Sequence, residues 1–306
     1  MTNAKVHVAL ILAVLAAVVT FVSFTARSSS GQSSRTRRQA SVKPTARIAE
    51  LNRSERAGAT SAFMTAAAQN ATLRSQLSWS FGGKQQRGWH LYDLLIGKTL
   101  DTRDDTDTSD FASALAKWQK RSGLSADGVL DEDALMRMVS QWQSNRLKNR
   151  AYAEPGQLVT APPTDFYDPG RAAELRQVER NTYDAYKRMV AAAIADPSLK
   201  LARTSSGELA PGEKYFKIIS AFRSREYQDQ LRRKSPNAGR AGLAVNSPHF
   251  TGRALDIYVG GDPVDTKDSN RAIQVNTPAY RWLVHNAVRF GFRPYFYEPW
   301  HWEYVK

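Results

Sequence analysis

The chain has 306 residues, with 43 Lys and Arg against 29 Asp and Glu, and a formal net charge of +14. Its length allows about two folded domains, and its 42% hydrophobic fraction excludes a wholly disordered chain. The absence of cysteine excludes disulfides, thiolate nucleophiles and cysteine-based zinc fingers. Any transition-metal site must therefore be built from His, Asp and Glu side chains.

The positive charge is concentrated near the N-terminus, where residues 1–50 carry 7 basic and 1 acidic side chains. Most of these basic residues lie in a Ser-rich stretch without aromatic side chains. Because single-stranded nucleic acids are bound largely by stacking on aromatic rings, we interpret this stretch as a solvated tail that can touch anionic polymers or lipid headgroups. We predict no specific nucleic-acid partner.

An apolar run of 17 residues at positions 8–24 follows Lys5. It exceeds the usual signal-peptide core of roughly 7 to 15 residues and reaches the lower limit for a membrane-spanning helix. We interpret residues 1–25 as a signal anchor, with residues 6–24 in the membrane, or alternatively as a cleaved signal peptide. Either interpretation predicts an exported protein of the cell envelope, anchored and facing the periplasm or cell wall, or secreted if the signal is removed.

The next two segments carry weaker patterns. Residues 26–47 lack periodicity and large apolar side chains, which predicts a disordered linker. Residues 48–88 are rich in Ala, Arg and Ser, so we expect them to be partly helical, without an assigned role.

Residues 89–144 show a clearer helical pattern. Phe111, Leu115 and Trp118 recur at spacings of four and three, and Gly123 ends this helix. A second helix is expected to begin near Asp131. The segment WQKRSGLSADGV, residues 118–129, resembles part of a small helical peptidoglycan-binding domain, although the glycine that usually follows is missing. The resemblance implies binding to cell-wall polymer through residues 89–144; the alternative is a generic helix-turn-helix.

Pro and Gly residues mark a second linker at residues 145–164, which would separate the helical domain from residues 165–306. In the latter we expect a long helix whose apolar face runs from Leu175 to Ala193 and which ends near Asp196, a buried strand over residues 217–222, and a terminal strand over residues 300–305. Ser224 and Thr277 are expected to cap two further helices. Strands and helices in one unit of this size predict the α+β class, with a central antiparallel sheet and flanking helices.

Two histidines stand in patterns that suit a metal ion. His249 lies in SPHFTGRALD, where a turn at Gly252 would fold it back beside Asp256 on the following strand. Near the C-terminus, Glu298 precedes His301 by three residues, and the intervening Pro299 argues against a helix. Two His and one Asp would supply three protein ligands and leave one position open for water, as a catalytic zinc site requires.

This ordered pattern resembles the VanY-like D-alanyl-D-alanine carboxypeptidases, within the zinc peptidase group that includes lysostaphin-like enzymes and the hedgehog signalling domain. The residues that match the first motif are Ser247, His249, Gly252, Ala254 and Asp256, and those that match the second are Glu298 and His301. The upstream segment SAFRS, residues 220–224, resembles a third block but has Ala221 and Phe222 at two of its positions.

The resemblance implies a role for each residue. His249, Asp256 and His301 would bind Zn²⁺, and Glu298 would be the base that takes a proton from water and delivers it to the departing amine. Arg223 would stabilise the oxyanion, and Ser247 and Gln228 would contact substrate. Glu303 is expected to be either a partner of His301 or a solvated carboxylate.

The resulting functional prediction is a zinc metallopeptidase of the D,D-carboxypeptidase type, which hydrolyses the terminal D-Ala of peptidoglycan stem peptides with a metal-activated water. One alternative is a peptidoglycan endopeptidase of the same zinc group, because the ligand motifs do not define the length of the substrate. The other is a non-catalytic cell-wall-binding protein.

Overall fold

The computed structural model describes residues 44–235 and 244–306. The expected membrane segment, and residues 26–43 of the expected linker, lie outside these ranges. Among the described residues, no helix combines the length and apolar character needed to cross a membrane. Contacts group Glu50–Lys306 into one compact unit.

The first half of the chain is mostly helical. Helix α1 (Pro44–Gln76) begins at a proline, which is compatible with a first helical turn, and it is followed by a hairpin of β1 (Ser78–Phe81) and β2 (Lys84–Arg87). Gly82 and Gly83 form the two-residue turn of the hairpin with φ angles of 60° and 79°, values that favour glycine. Three helices then follow: α2 (Asp93–Leu100), α3 (Ser109–Arg121) and α4 (Glu132–Ser144).

The turn between α3 and α4 is held by the buried side chain of Gln119. Its Nε2 donates to the Val129 carbonyl and to Asp127 Oδ1, both at 3.0 Å, and its Oε1 accepts from Gly128 N at 2.9 Å. Trp118 is buried and Leu124 packs against the same core. The residues that prompted the comparison with a wall-binding domain therefore stabilise this turn from inside.

The second half of the chain is built on a four-stranded antiparallel sheet with the order β5 (Ile218–Ser220), β6 (Ala254–Ile257), β8 (Glu298–Tyr304) and β7 (Phe292–Tyr295). In the described part of this half, the helices beside the sheet are α5 (Arg180–Ile194), α6 (Arg225–Lys234), α7 (Asp268–Val275) and α8 (Pro278–Asn286). The mixture of helices and antiparallel sheet agrees with the predicted α+β class.

Two helix starts are confirmed in detail. The hydroxyl of Ser224 accepts from Tyr227 N at the start of α6, and the hydroxyl of Thr277 accepts from Tyr280 N at the start of α8. Each hydroxyl satisfies a backbone N–H that has no partner within its helix.

The expected start of the long helix at Leu175 was wrong. Leu175 lies in a 3₁₀ turn and Val178 lies in the short strand β4 (Gln177–Glu179), which pairs with β3 (Leu158–Thr160). The Glu179 carboxylate then accepts from Thr182 N, so that α5 begins at Arg180. Because Val178 is buried by strand pairing, its apolar character gave a false helical signal. Strand β3 lies within the segment that was predicted to be a linker.

A single hydrophobic core runs through both halves of the chain. The ring of Phe296, just after β7, lies 4.7 Å from Phe81, 5.3 Å from Tyr92 and 5.8 Å from Trp142, measured between ring centroids. Nearby, the buried Arg271 of α7 donates to the Tyr92 hydroxyl at 3.1 Å. The helices of the first half are thus packed directly against the hairpin formed by β7 and β8.

Candidate active site

The sheet places two of the expected metal ligands side by side. Asp256 of β6 and His301 of β8 are direct partners in the antiparallel register, so their side chains lie on the same face. His249 precedes β6 in a 3₁₀ turn, Pro248–Thr251. The turn ends at Gly252, which has a φ of 65°, and a Cβ there would lie 2.9 Å from Glu179 N. This turn returns His249 to Asp256, as the sequence predicted.

The three side chains form a compact buried group. His249 Nε2 lies 3.3 Å from Asp256 Oδ1, and His301 Nδ1 lies 2.9 Å from the same oxygen. One ligand atom from each residue falls within 4.8 Å of the other two. Two imidazole nitrogens and one carboxylate oxygen are the donors of a catalytic zinc site with three protein ligands. The donor set and its spacing therefore fit such an ion.

The remaining nitrogen of each histidine has a partner of its own. His249 Nδ1 lies 2.6 Å from the Ala221 carbonyl, which can only accept, so this nitrogen carries the proton and Nε2 keeps its lone pair. His301 Nε2 lies 3.2 Å from Glu303 Oε1. Acceptors behind a metal-binding histidine fix its tautomer and ring orientation.

The protonation of the two histidines differs in the absence of a metal. Burial and the positive charge of Arg223 lower the pKa of His249 to about 4. Burial also disfavours the charged form of His301, but hydrogen bonds to Asp256 and Glu303 outweigh it and raise the pKa of His301 to about 9. A cation at the site would therefore compete with the proton of His301.

Arg223 contacts the carboxylate of Asp256 through its guanidinium group. Its Nη2 donates to Asp256 Oδ2, its Nε donates to Ser220 Oγ at 3.0 Å, and its Nη1 donates to Gln228 Oε1 at 3.3 Å. Burial opposes ionisation of Asp256, but the neighbouring His249 and Arg223 outweigh it and hold the pKa of this carboxyl well below its usual value. Asp256 is consequently ionised across the physiological range.

Glu298 reaches the same space through an irregular start to β8. In a regular strand, residues three apart point to opposite faces, which would separate Glu298 from His301. The register between β7 and β8 shifts at Pro294 and Tyr295. The side chains of Glu298 and His301 both line one cavity. The structure thus replaces the expected turn before the strand with a strand of irregular register. Burial raises the pKa of Glu298 to about 8.

This cavity has a volume of about 750 Å³ and brings together six of the seven predicted site residues. Those that line it are Arg223, Ser247, His249, Asp256, Glu298 and His301. Gln228 is buried outside the lining, between Arg223 and the Ala244 carbonyl, to which its Nε2 donates at 3.0 Å. Its observed contacts position Arg223, and its contact with substrate stays a prediction.

Glu303 is fully buried, so it is not a solvated carboxylate. Besides His301, it contacts Arg146, whose Nε and Nη2 donate to Oε1, and Leu147, whose backbone N donates to Oε2 at 2.8 Å. The guanidinium of Arg146 also lies 3.9 Å from the ring centroid of Tyr295. Sequence reasoning missed Arg146, because it lies 157 residues from Glu303 in a segment without a motif.

The comparison with known families agrees with this geometry. Residues 176–306 match the VanY family model, described as D-alanyl-D-alanine carboxypeptidase. The match contains all seven predicted site residues, and VanY is a family of zinc-type peptidases. A search of curated proteins found no match. The VanY match indicates a carboxypeptidase or a related hydrolase that acts on peptidoglycan. It begins after the predicted wall-binding segment, so that interpretation stays a prediction.

Proposed function

We propose that this chain is a zinc-dependent D,D-carboxypeptidase that removes the terminal D-Ala from peptidoglycan stem peptides. The observation that carries the proposal is the buried group of His249, Asp256 and His301, which shares one cavity with the carboxyl of Glu298. A structural zinc site usually has four protein ligands, whereas this group offers three and leaves a position open for water. Glu298 would be the acid–base group that hydrolysis requires.

Zn²⁺ held by these three side chains would supply a water with a pKa of about 7 and would polarise the scissile carbonyl. Glu298 would accept the proton of that water on a carboxylate oxygen and donate it to the nitrogen of the leaving D-Ala. General acid–base groups of this kind contribute about 10²- to 10⁴-fold to the rate. The buried position of Glu298 suits both steps, because burial brings its pKa close to neutral pH.

Arg223 would hold the carbonyl oxygen as negative charge develops on it. A guanidinium has five N–H donors, and three of those of Arg223 are engaged within the protein, which leaves two for a substrate. One donor of this type is worth about 3 to 4 kcal/mol in a transition state. Ser247, whose hydroxyl oxygen accepts from His249 N at 3.3 Å, keeps its own O–H for a substrate acceptor.

We further infer that the enzyme works in the cell envelope after export. The apolar run at residues 8–24 would anchor or export the chain, and residues 89–144 would hold it on cell-wall polymer. Both inferences rest on sequence. They are tested by fractionating cells that express the full chain, and by measuring whether purified sacculi bind it.

The central test uses the full chain in detergent and a defined pentapeptide muropeptide, with mass spectrometry of the products. The proposal expects loss of a single alanine, which stops on addition of a chelator and returns with zinc. Glu298→Gln is the matched variant, and it should retain zinc but not hydrolysis. Cleavage at an internal bond would identify an endopeptidase. Intact substrate with bound zinc would favour a wall-binding protein.

A further inference from the structure

One side of the cavity is built by a basic segment that precedes the VanY match. Gln143, Arg146 and Arg150 line it together with the metal-binding group. Arg146 is already paired with the Glu303 carboxylate, and Arg223 is paired with Asp256. Arg150 differs from both, because no carboxylate forms an ion pair with it anywhere in the described ranges.

Arg150 interacts with residues near His249 and with residues near His301. Its Nη1 donates at 2.8 Å to the carbonyl of Asn246, three residues before His249. On its other side, Arg146, Glu303 and Tyr295 lie within electrostatic range. The ring of Tyr295 is 5.8 Å from that of His301. The guanidinium thus lines the same cavity as the candidate metal group.

Arg150 is also half-buried, and burial together with the charge of Arg146 lowers its pKa. The nearby Glu303 carboxylate is already paired with Arg146, and a guanidinium that is partly withdrawn from water without an ion pair of its own is costly. Residues 1–43 and 236–243, which the structure does not describe, contain no Asp or Glu. An anion for this position is therefore best supplied by a ligand, and a carboxylate matches the planar fork of arginine.

The inference rests on the proposed function, which defines the carboxylate. When a carboxypeptidase releases a single residue, the free C-terminal carboxylate of the peptide is one residue away from the bond that is cleaved. We propose that Arg150 binds the C-terminal carboxylate of the substrate peptide, and so makes the site selective for chain ends over internal bonds.

Arg171 provides a matched comparison within the same cavity. It too lacks a carboxylate in an ion pair among the described residues, but its Nε donates to the Leu175 carbonyl and its guanidinium carbon is 5.9 Å from the Tyr227 ring centroid. None of these partners contacts either histidine. A general attraction of anions into the cavity would depend on both arginines, whereas recognition of the terminal carboxylate would depend on Arg150.

The test measures binding by calorimetry in the zinc-loaded full chain, with Glu298→Gln as the parent so that substrate stays intact. The probes are an acylated Lys-D-Ala-D-Ala peptide and its C-terminal amide. We expect the parent to bind the acid about 10- to 100-fold more tightly than the amide, as a charge-assisted pair provides. Adding Arg150→Gln should remove this preference with the affinity for the amide unchanged. Arg150→Lys should keep part of it, and Arg171→Gln should keep all of it.

Equal affinity of the parent for acid and amide would overturn the proposal, and this result needs no Arg150 variant to fold. Loss of the preference in Arg171→Gln but not in Arg150→Gln would overturn the assignment. So would an equal loss of affinity for both peptides in Arg150→Gln.

Hydrolysis by the wild-type chain distinguishes failure of the proposed function from failure of the proposed role of Arg150. An acid preference that depends on Arg150, without release of D-Ala, would leave the subsite standing and reject the carboxypeptidase. Release of D-Ala without a preference for the acid over the amide would support the carboxypeptidase and reject the subsite at Arg150.

Discussion

The two regions on either side of the cavity contribute in different ways. Residues 176–306 hold every candidate metal ligand and the candidate base, on adjacent strands and the turn before them. Residues 50–150 hold none of these groups, yet they supply Phe81, Arg146 and Arg150 to the cavity lining and share one core with the sheet. The reactive groups thus come from one region, while their support and part of the substrate surface come from both.

The lining of the candidate site thus extends beyond the matched region. A carboxylate that contacts a metal-binding histidine is itself held by Arg146 and the Leu147 backbone. Interactions behind a metal ligand orient it and tune its affinity for the ion. Under the proposed function, Arg146 and Leu147 would therefore influence the metal site through Glu303 without contacting the ion.

The largest effect should follow from removing one region altogether. A fragment of residues 165–306 lacks Phe81, Tyr92 and Trp142, whose rings pack on Phe296. Tyr92 is buried, whereas Phe81 and Trp142 are half-buried. Full burial of a large apolar side chain contributes about 1.5 to 3 kcal/mol, so the loss is at most about 9 kcal/mol, which is still a large part of the stability of a domain. We expect the fragment to show no cooperative thermal transition by circular dichroism, whereas residues 50–306 should show one. A fragment that unfolds cooperatively and binds zinc would show that the matched region is stable without the first region.

Within the matched region, Glu298→Gln should separate chemistry from metal binding. We expect D-Ala release to fall by about 10²- to 10⁴-fold, with zinc content by elemental analysis unchanged, since Glu298 is not one of the three candidate ligands. Glu174→Gln, an exposed change just before the matched region, serves as the control. Full activity of the Glu298 variant would remove this residue from the mechanism.

Arg146→Met tests the contribution of the first region to the metal site. Loss of the guanidinium leaves Glu303 without two of its hydrogen bonds, and zinc affinity should fall by about 10- to 100-fold in competition with a chromophoric chelator. The control is Lys98→Met, because Lys98 also bridges the regions, by donating to the Val284 carbonyl away from the site. Equal losses in the two variants would mean that the effect is one of general stability.

Metal binding by the unaltered chain should also depend on pH. The metal-free His301 has a pKa of about 9, so below that pH it holds a proton that must leave before Nδ1 can bind a cation. His249 is already neutral there, because its pKa is about 4. Apparent zinc affinity should therefore rise by about tenfold per pH unit between pH 7 and about 9. A flat profile over this range would show that His301 is not the group that exchanges a proton for the metal.

Much of the site was predictable because its residues are close in sequence or stand in motifs. His249 and Asp256 are joined by one turn, Glu298 and His301 are three residues apart, and the capping hydroxyls of Ser224 and Thr277 act locally. Local spacing carries such information, since the geometry of turns, caps and strands extends over only a few residues.

The remaining features depend on contacts that local spacing does not encode. The apolar character of Val178 suits a helix face and a buried strand equally, and its pairing with β3 decides between them. Arg146 meets Glu303 only through the packing of the complete fold. Gln228 is in the expected segment, but its contacts with Arg223 and Ala244 depend on how α6 packs.

The pairing of Asp256 with His301 also bears on how the sheet assembles. Moving β8 by one residue relative to β6 would turn His301 to the opposite face and separate it from both other ligands. An ion that needs all three side chains would bind the correct alignment and not the shifted one, and by mass action it would stabilise that alignment alone. Metal binding would then select the native register of β6 and β8, in addition to its part in the chemistry.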